Sequence, residues 1–357
     1  MGAVFDYNGN QILPEDELSG LDDLLEDRLL VWHDEFSSPH IDTNKWGIVY
    51  GKTREVASYA ENPERVTSVG QGLSYRCVKD NPHPADGIVY SCPYLSTKNL
   101  FEFMYGRIEA KLRFPSVTPH HSTFWTIGAN YNIKSTSEED VLNKSLGVLF
   151  PSCGEIDIAE FDNGTVGART HWASNGFDTD STSQTGGNVS TLTSSPTDWH
   201  IYSCEWTSSS ITFYVDGVQK GAWDTSNGTV NGWNPFKAPH FLVLNCVPFL
   251  TGTPTWDIAQ TDVAWVRVYA PENVSSLIPE TSISIDATAS ITVGQRKWLA
   301  PTFSPENPTD MTLNWLSHNE GIVTCYGGML IGVAAGTTYV QCATKHGYTA
   351  LCKVTVS

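Results

Sequence analysis

Basic residues are scarce. Only 21 Lys plus Arg stand against 39 Asp plus Glu in 357 residues, a formal charge of −18. Such a surface repels phosphate backbones and anionic lipid, which removes nucleic acid and membrane surfaces from the expected partners. Long apolar runs are missing too: the most apolar stretch, FLVLNCVPFL from Phe241, is far shorter than the roughly 18 to 20 residues of a membrane-spanning helix, so no membrane insertion is expected. The eight cysteines (77, 92, 153, 204, 246, 325, 342 and 352) include no CxxC pair and have no His at zinc spacing, which argues against a structural metal knuckle. Five fall in the first part of the chain and three in the last, so neither part can pair all its own thiols. Buried free thiols are expected for most, with one or two bridges left open. The N-terminus shows no basic segment followed by an apolar one, so a secretory signal has been removed or export uses another route.

What is present is 40% hydrophobic and 11% aromatic residues, enough for one large domain and a smaller one. Residues 1–29 form an acidic leader in which Leu18, Leu21, Leu24 and Leu25 have the spacing of a short amphipathic helix. From Leu30 the texture changes to short alternating runs such as YGRIEAKLRF, WHIYSCEW and VAWVRVYA, punctuated by Gly, Asn, Asp and Pro, which is the pattern of an all-β sandwich. In SSSITFYVDGVQKGAW two such runs meet at Asp216 and Gly217, a dipeptide suited to a tight hairpin. Residues 30–271 are read as one β domain, 272–280 as a polar, Pro-containing linker, and 281–357 as a second, nearly neutral unit.

The segment GEIDIAEFD places Glu155, Asp157 and Glu160 among apolar neighbours. On a strand Glu155 and Asp157 share a face, but strict alternation turns Glu160 away. One extra residue at Ile158 or Ala159, a β-bulge, restores it. The expectation is a bulged strand projecting three acids into one cleft. Like charges so close raise one another's proton affinity, a cost poorly explained by stability. The arrangement suits glycosidic cleavage, which needs one ionised carboxylate as nucleophile and one protonated carboxyl as acid.

The same strand closely resembles the signature strand of glycoside hydrolase family 16, a family of endo-acting, retaining β-glycanases with a concanavalin A-like β-jelly roll. Six further segments resemble the family in order: VWHDEF at Val31, YGRIEAKLRFP at Tyr105, FWTIG at Phe124, WHIYSCEWTSSSITFYVDG at Trp199, FLVLN at Phe241 and WVRVYA at Trp265. The resemblance implies Glu155 as nucleophile, Glu160 as general acid and base, and Asp157 as the assisting carboxylate between them. It also implies substrate contacts from Trp125, His171, Trp172 and Asn245. It calls for no catalytic metal and no required cofactor. A structural calcium in such proteins uses an Asp just before the last strand's aromatic; Ala264 stands there, leaving Asp262 as the near substitute. Phe150 before Pro151, and CVPFLTGTP after FLVLN, also depart from many β-1,3-glucanases of the family.

The two residues between Asp157 and Glu160 resemble the bulged branch of the family, which includes laminarinases, agarases, carrageenases and porphyranases. The acidic balance favours a neutral β-1,3- or mixed β-1,3/1,4-glucan, with agarose or another marine galactan as the alternative. Residues 281–357 resemble a bacterial immunoglobulin-like group 2 domain through VGQ at Val293, SPENPTD, NWLSHN, GVAAGTT and CKVTVS. That implies a small β-sandwich, a spacer or a contact to cell-surface or particle glycans, in an extracellular, cell-surface or phage-particle protein. A non-catalytic glycan-binding protein is the other class of reading, and the intact acids speak against it.

Overall fold

The computed structural model describes residues 4–5, 11–13, 28–48, 51–52, 59–61, 65–68, 72–83, 88–131, 147–175, 183–248 and 254–357. The expected leader helix lies outside them, as do residues 249–253 of the CVPFLTGTP segment. No helix among the described residues is long and apolar enough to cross a membrane.

Two β-sheets are stacked. The first contains β1 (Gly47–Ile48), β2 (Tyr94–Ser96), β3 (His120–Gly128), β4 (Glu155–Asp162), β5 (Thr165–Ala173), β6 (Ser183–Val189) and β7 (His240–Pro248). Their spatial order is β6-β5-β4-β3-β7-β2-β1, with antiparallel neighbours throughout. The second sheet has eleven strands among the described residues. Its central run is Val218–Asp224, Ser210–Val215, His200–Trp206, Gly106–Arg113, Ile258–Tyr269, Leu73–His83 and Ile88–Cys92. The expected all-β sandwich is therefore the architecture observed.

Alternation explains how the layers meet. Phe124 of β3, Ile156, Ile158 and Phe161 of β4, Val166 of β5 and Leu242 and Leu244 of β7 all turn inward and are almost fully buried. From the opposite sheet Ile108, Leu112, Tyr202, Phe213 and Val266 fill the same core. Each such aliphatic or aromatic side chain contributes about 1.5–3 kcal/mol by leaving water, so β4 is anchored firmly by one face. Its other face is free to carry polar groups. The Asp216–Gly217 turn forms as expected: Val215 pairs with Val218, and both turn residues have positive φ, 51° and 75°.

All eight cysteines are free thiols; seven are buried and Cys325 is half-buried. The sulfurs of Cys77 and Cys92 lie side by side at 2.6 Å.

The calcium expectation can be tested at Asp262. Its carboxylate is buried, accepts from Ser74 Oγ at 2.6 Å and Gln260 Nε2 at 2.7 Å, and is paired with Arg113 Nε at 2.9 Å. A side chain already neutralised by a guanidinium does not fit as a calcium ligand.

Beyond residue 281 the chain builds a further pair of sheets. Four strands run in the order Thr288–Ile291, Thr349–Val356, Gly336–Thr344, Leu313–Ser317, and three in the order Arg296–Trp298, Met329–Gly332, Val323–Tyr326. Leu299, Val323, Leu330, Val340 and Val354 fill the space between them. This unit packs against the first sheet. Met329 is buried with Tyr94, Ile127, Phe241 and Val243, all on the outward face of β2, β3 and β7, and Trp125 and Trp298 flank the cluster. Trp298 meets Trp233 edge-on at 4.6 Å, Arg296 Nη1 donates to Gly147 O at 2.8 Å, and Met311 N donates to Glu102 O at 2.7 Å.

Candidate active site

The bulge expected in β4 is present. Phe124 of β3 pairs with Ala159 and Trp125 with Asp157, so Ile158 is left over; on the other side Asp157 faces Arg169 while Glu160 faces Gly167. Ile158 and Ala159 are both fully buried, two consecutive residues turned inward. The facing of Glu160 is thereby brought back to that of Glu155 and Asp157.

Pairing lays the outward side chains out in rows across four strands. Phe241, Ile127, Glu155 and His171 form one, followed by Val243, Trp125, Asp157 and Arg169. Next come Asn245, Thr123, Glu160 and Gly167, and then Val247, His121, Asp162 and Thr165. The face thus grades from the apolar patch under Met329 to a strip dense in acids.

His171 Nε2 lies 3.2 Å from Asp157 Oδ2 and 4.0 Å from Glu155 Oε1, while its Nδ1 meets Ser183 Oγ at 3.1 Å. Glu160 sits between two basic side chains, with Arg169 Nε 2.7 Å from Oε2 and His121 Nε2 3.7 Å from Oε1. The guanidinium is at ion-pair distance without an aligned N–H, since Oε2 has no hydrogen-bond partner. Asn245 Oδ1 accepts from Trp125 Nε1 at 2.7 Å and from Thr123 Oγ1 at 2.6 Å, which fixes the indole over the site face.

Electrostatics follow from this crowding. Burial, then the charges of Asp157 and Glu160, push the Glu155 carboxyl well above the usual range. Burial and Asp157 push Glu160 up to about 7, with Arg169 and His171 opposing the rise. Desolvation is thus the larger cause for both, ahead of the like-charge repulsion read from the sequence. The two glutamates therefore share a proton into the neutral range. His121 moves the other way, lowered chiefly by burial.

Glu155, Asp157 and His171 bring one ligand-type atom each within 4.8 Å of one another. All three belong to the rows of outward side chains on the site face.

The structure brings together Glu155, Asp157, Glu160, Trp125, His171 and Asn245 on one face. Trp172 is a correction: next to His171 on a strand it must point the opposite way, and it lies in the inter-sheet core with Trp223 at 4.8 Å and Phe236 at 6.5 Å. Arg169 and His121 were missed. Arg169 precedes His171 by two residues, and that parity alone puts it on the same face. Phe150 is exposed and approaches the His171 ring at 5.8 Å.

The described residues build a two-layer β-sandwich with a row of carboxylates on one outer face. Residues 52–267 match the model of Glycosyl hydrolases family 16, and the chain belongs to that family. It is similar to the Clotting factor G alpha subunit of Tachypleus tridentatus, 29% identical over 270 residues, covering 71% of this chain and 36% of that protein. It is also similar to a Keratan-sulfate endo-1,4-beta-galactosidase of Sphingobacterium multivorum, 28% identical over 254 residues, covering 67% of this chain and 54% of that protein. Among solved structures, the laminarinase catalytic domain of Thermotoga maritima MSB8 superposes with a TM-score of 0.54 at 25% identity, over 70% of this chain and all of that one. The chain spans between about a third and a half of the length of these two curated relatives.

Proposed function

We propose that this protein is an endo-acting, retaining hydrolase of a β-linked polysaccharide, with a β-1,3- or mixed β-1,3/1,4-glucan as substrate. The observation that carries the reading is the bulged β4 with Glu155, Asp157 and Glu160 on one face. In the first half-reaction the Glu160 proton passes to the glycosidic oxygen as the bond to the anomeric carbon breaks and a Glu155 oxygen bonds to that carbon. In the second, ionised Glu160 takes a proton from water, whose oxygen replaces Glu155 with net retention. His171 steadies Asp157 between the two glutamates, and Trp125 offers an indole to a sugar face.

Family membership and similarity to a laminarinase support this reading. A galactan is the second reading, favoured by one observation: Arg169 puts a cation on the site face, where a sulfate would find it. We assign residues 30–271 to the catalytic domain, 272–280 to the linker and 281–357 to an immunoglobulin-like sandwich. We place the protein outside the cell or on a surface, where its polysaccharide substrate is found; the C-terminal unit is then a spacer or a further glycan contact.

The test is to incubate the full chain with laminarin, mixed-linkage β-glucan, agarose, porphyran, carrageenan and keratan sulfate and to measure new reducing ends. Release from a glucan, reduced at least about a thousandfold in Glu155→Gln, supports the proposal. Release only from a galactan keeps the mechanism and replaces the substrate. Binding without release overturns the enzymatic reading.

A further inference from the structure

The reaction proposed above asks opposite things of Glu160: a bound proton before the first bond breaks, and an empty carboxylate before water attacks. Burial and neighbouring acids favour only the first. The groups facing Glu160 are His121 from β3, Asp157 and Asp162 on its own strand, with Glu155 further along, and Arg169 and His171 from β5. Arg169 supplies the fixed positive charge among them, because a guanidinium does not lose its proton in this range.

Its placement has a local cause. Glu160 pairs directly with Gly167, two residues before Arg169 on the same face of β5. A Cβ on Gly167 would lie 3.4 Å from Arg169 Nη2 and 3.1 Å from Val189 O. The absent side chain leaves lateral room, and the guanidinium extends over it to within 2.7 Å of the Glu160 carboxylate.

We propose that Arg169 is a positioning residue for Glu160, steadying the ionised carboxylate that must arise between the two halves of the reaction so that one side chain serves as acid and then as base. This inference rests on the hydrolase reading for its purpose, but the ion pair itself is a separate fact. Without Arg169, Glu160 binds its proton more tightly. Glycosylation then persists to higher pH, while deglycosylation, which needs the empty base, slows at neutral pH.

The test compares wild type with Arg169→Gln and Arg169→Lys by two readouts. One is the pH dependence of kcat/KM and kcat on the polysaccharide found to be cleaved. The other is carbon NMR titration of protein labelled at the Glu carboxyl carbon, with Glu160 assigned through Glu160→Gln. The expected result is an upward move of the Glu160 midpoint and of the basic limb of kcat/KM by at least about half a pH unit in Arg169→Gln, and a smaller move in Arg169→Lys, which keeps the charge. An unmoved midpoint overturns the proposal; if KM then rises several-fold on a sulfated glycan alone, Arg169 is a substrate contact. If no glycan is cleaved by wild type, the hydrolase reading fails, while the titration still decides whether Arg169 governs the Glu160 proton.

Discussion

The outer surfaces of the two sheets both carry carboxylates and treat them differently. On the eleven-stranded sheet four acids each have an arginine: Asp262 with Arg113, Glu109 with Arg107 at 2.6 Å, Glu205 with Arg28 at 2.9 Å, and Glu35, just past its strand, held by two nitrogens of Arg267 at 3.0 Å each. On the seven-stranded sheet Glu155, Asp157, Glu160 and Asp162 share one arginine and two histidines. Both faces lie over the same core, and the bulge in β4 adds Glu160 to the acids on the site face. Charge matching marks the face that contributes to stability, and charge surplus marks the face that holds a proton at neutral pH.

Breaking a matched pair should have a large effect on stability. Arg107→Met leaves Glu109 buried without its partner, and burial already raises that carboxyl above the usual range. The expected cost is about 3 kcal/mol in urea unfolding, with glycan turnover by the folded protein unchanged. A cost below about 0.5 kcal/mol would mean that the pairing on this face is incidental.

The surplus face gives an effect of similar size with the opposite logic. The Glu160 carboxyl is raised from 4.5 to about 7 on folding, so the folded state binds the proton more tightly than the unfolded one. The resulting stabilisation is full below pH 4.5 and is lost as pH rises through 7. Wild type should therefore lose about 3 kcal/mol across that window, and Glu160→Gln should show a flatter profile in chemical denaturation at stepped pH. Equal slopes would place the shared proton elsewhere in the cluster.

The smallest effects separate the two tryptophans. Trp125→Ala should raise KM for the polysaccharide about tenfold, with a stability cost of about 1–2 kcal/mol, because the indole lies over the site face and also flanks the cluster around Met329. Trp172→Phe should cost about 1 kcal/mol of stability and leave KM alone, because its neighbours are Trp223 and Phe236. Reversed outcomes would restore Trp172 to the site.

These contrasts also show what the sequence makes legible. Strand parity and three acids at positions 155, 157 and 160 were enough to foresee the bulge, because only an extra residue reconciles the acids with the apolar residues between them. The same parity applied to Thr-His-Trp separates His171 from Trp172, and applied backwards from His171 it adds Arg169. Resemblance groups His171 and Trp172 as sequence neighbours, whereas alternation puts them on opposite faces. The contact of Met329 with Ile127 and Phe241 was not legible, since each residue looks like ordinary core of its own unit. Nothing local in either stretch signals a partner some 90 to 200 residues away.

The bulge has an evolutionary consequence. Elsewhere in a strand, loss of one residue inverts every side chain beyond it and exchanges core for solvent. Here Ile158 and Ala159 both face inward, so removing either one restores simple alternation and leaves Glu155, Asp157, Glu160 and Phe161 on their present sides. The deletion would draw Glu160 about 3.3 Å closer to Asp157 along the strand. This is a position where a chain can change length by one residue and alter the spacing of its acids without scrambling its fold, so descendants can trial new reaction geometries by a single insertion or loss.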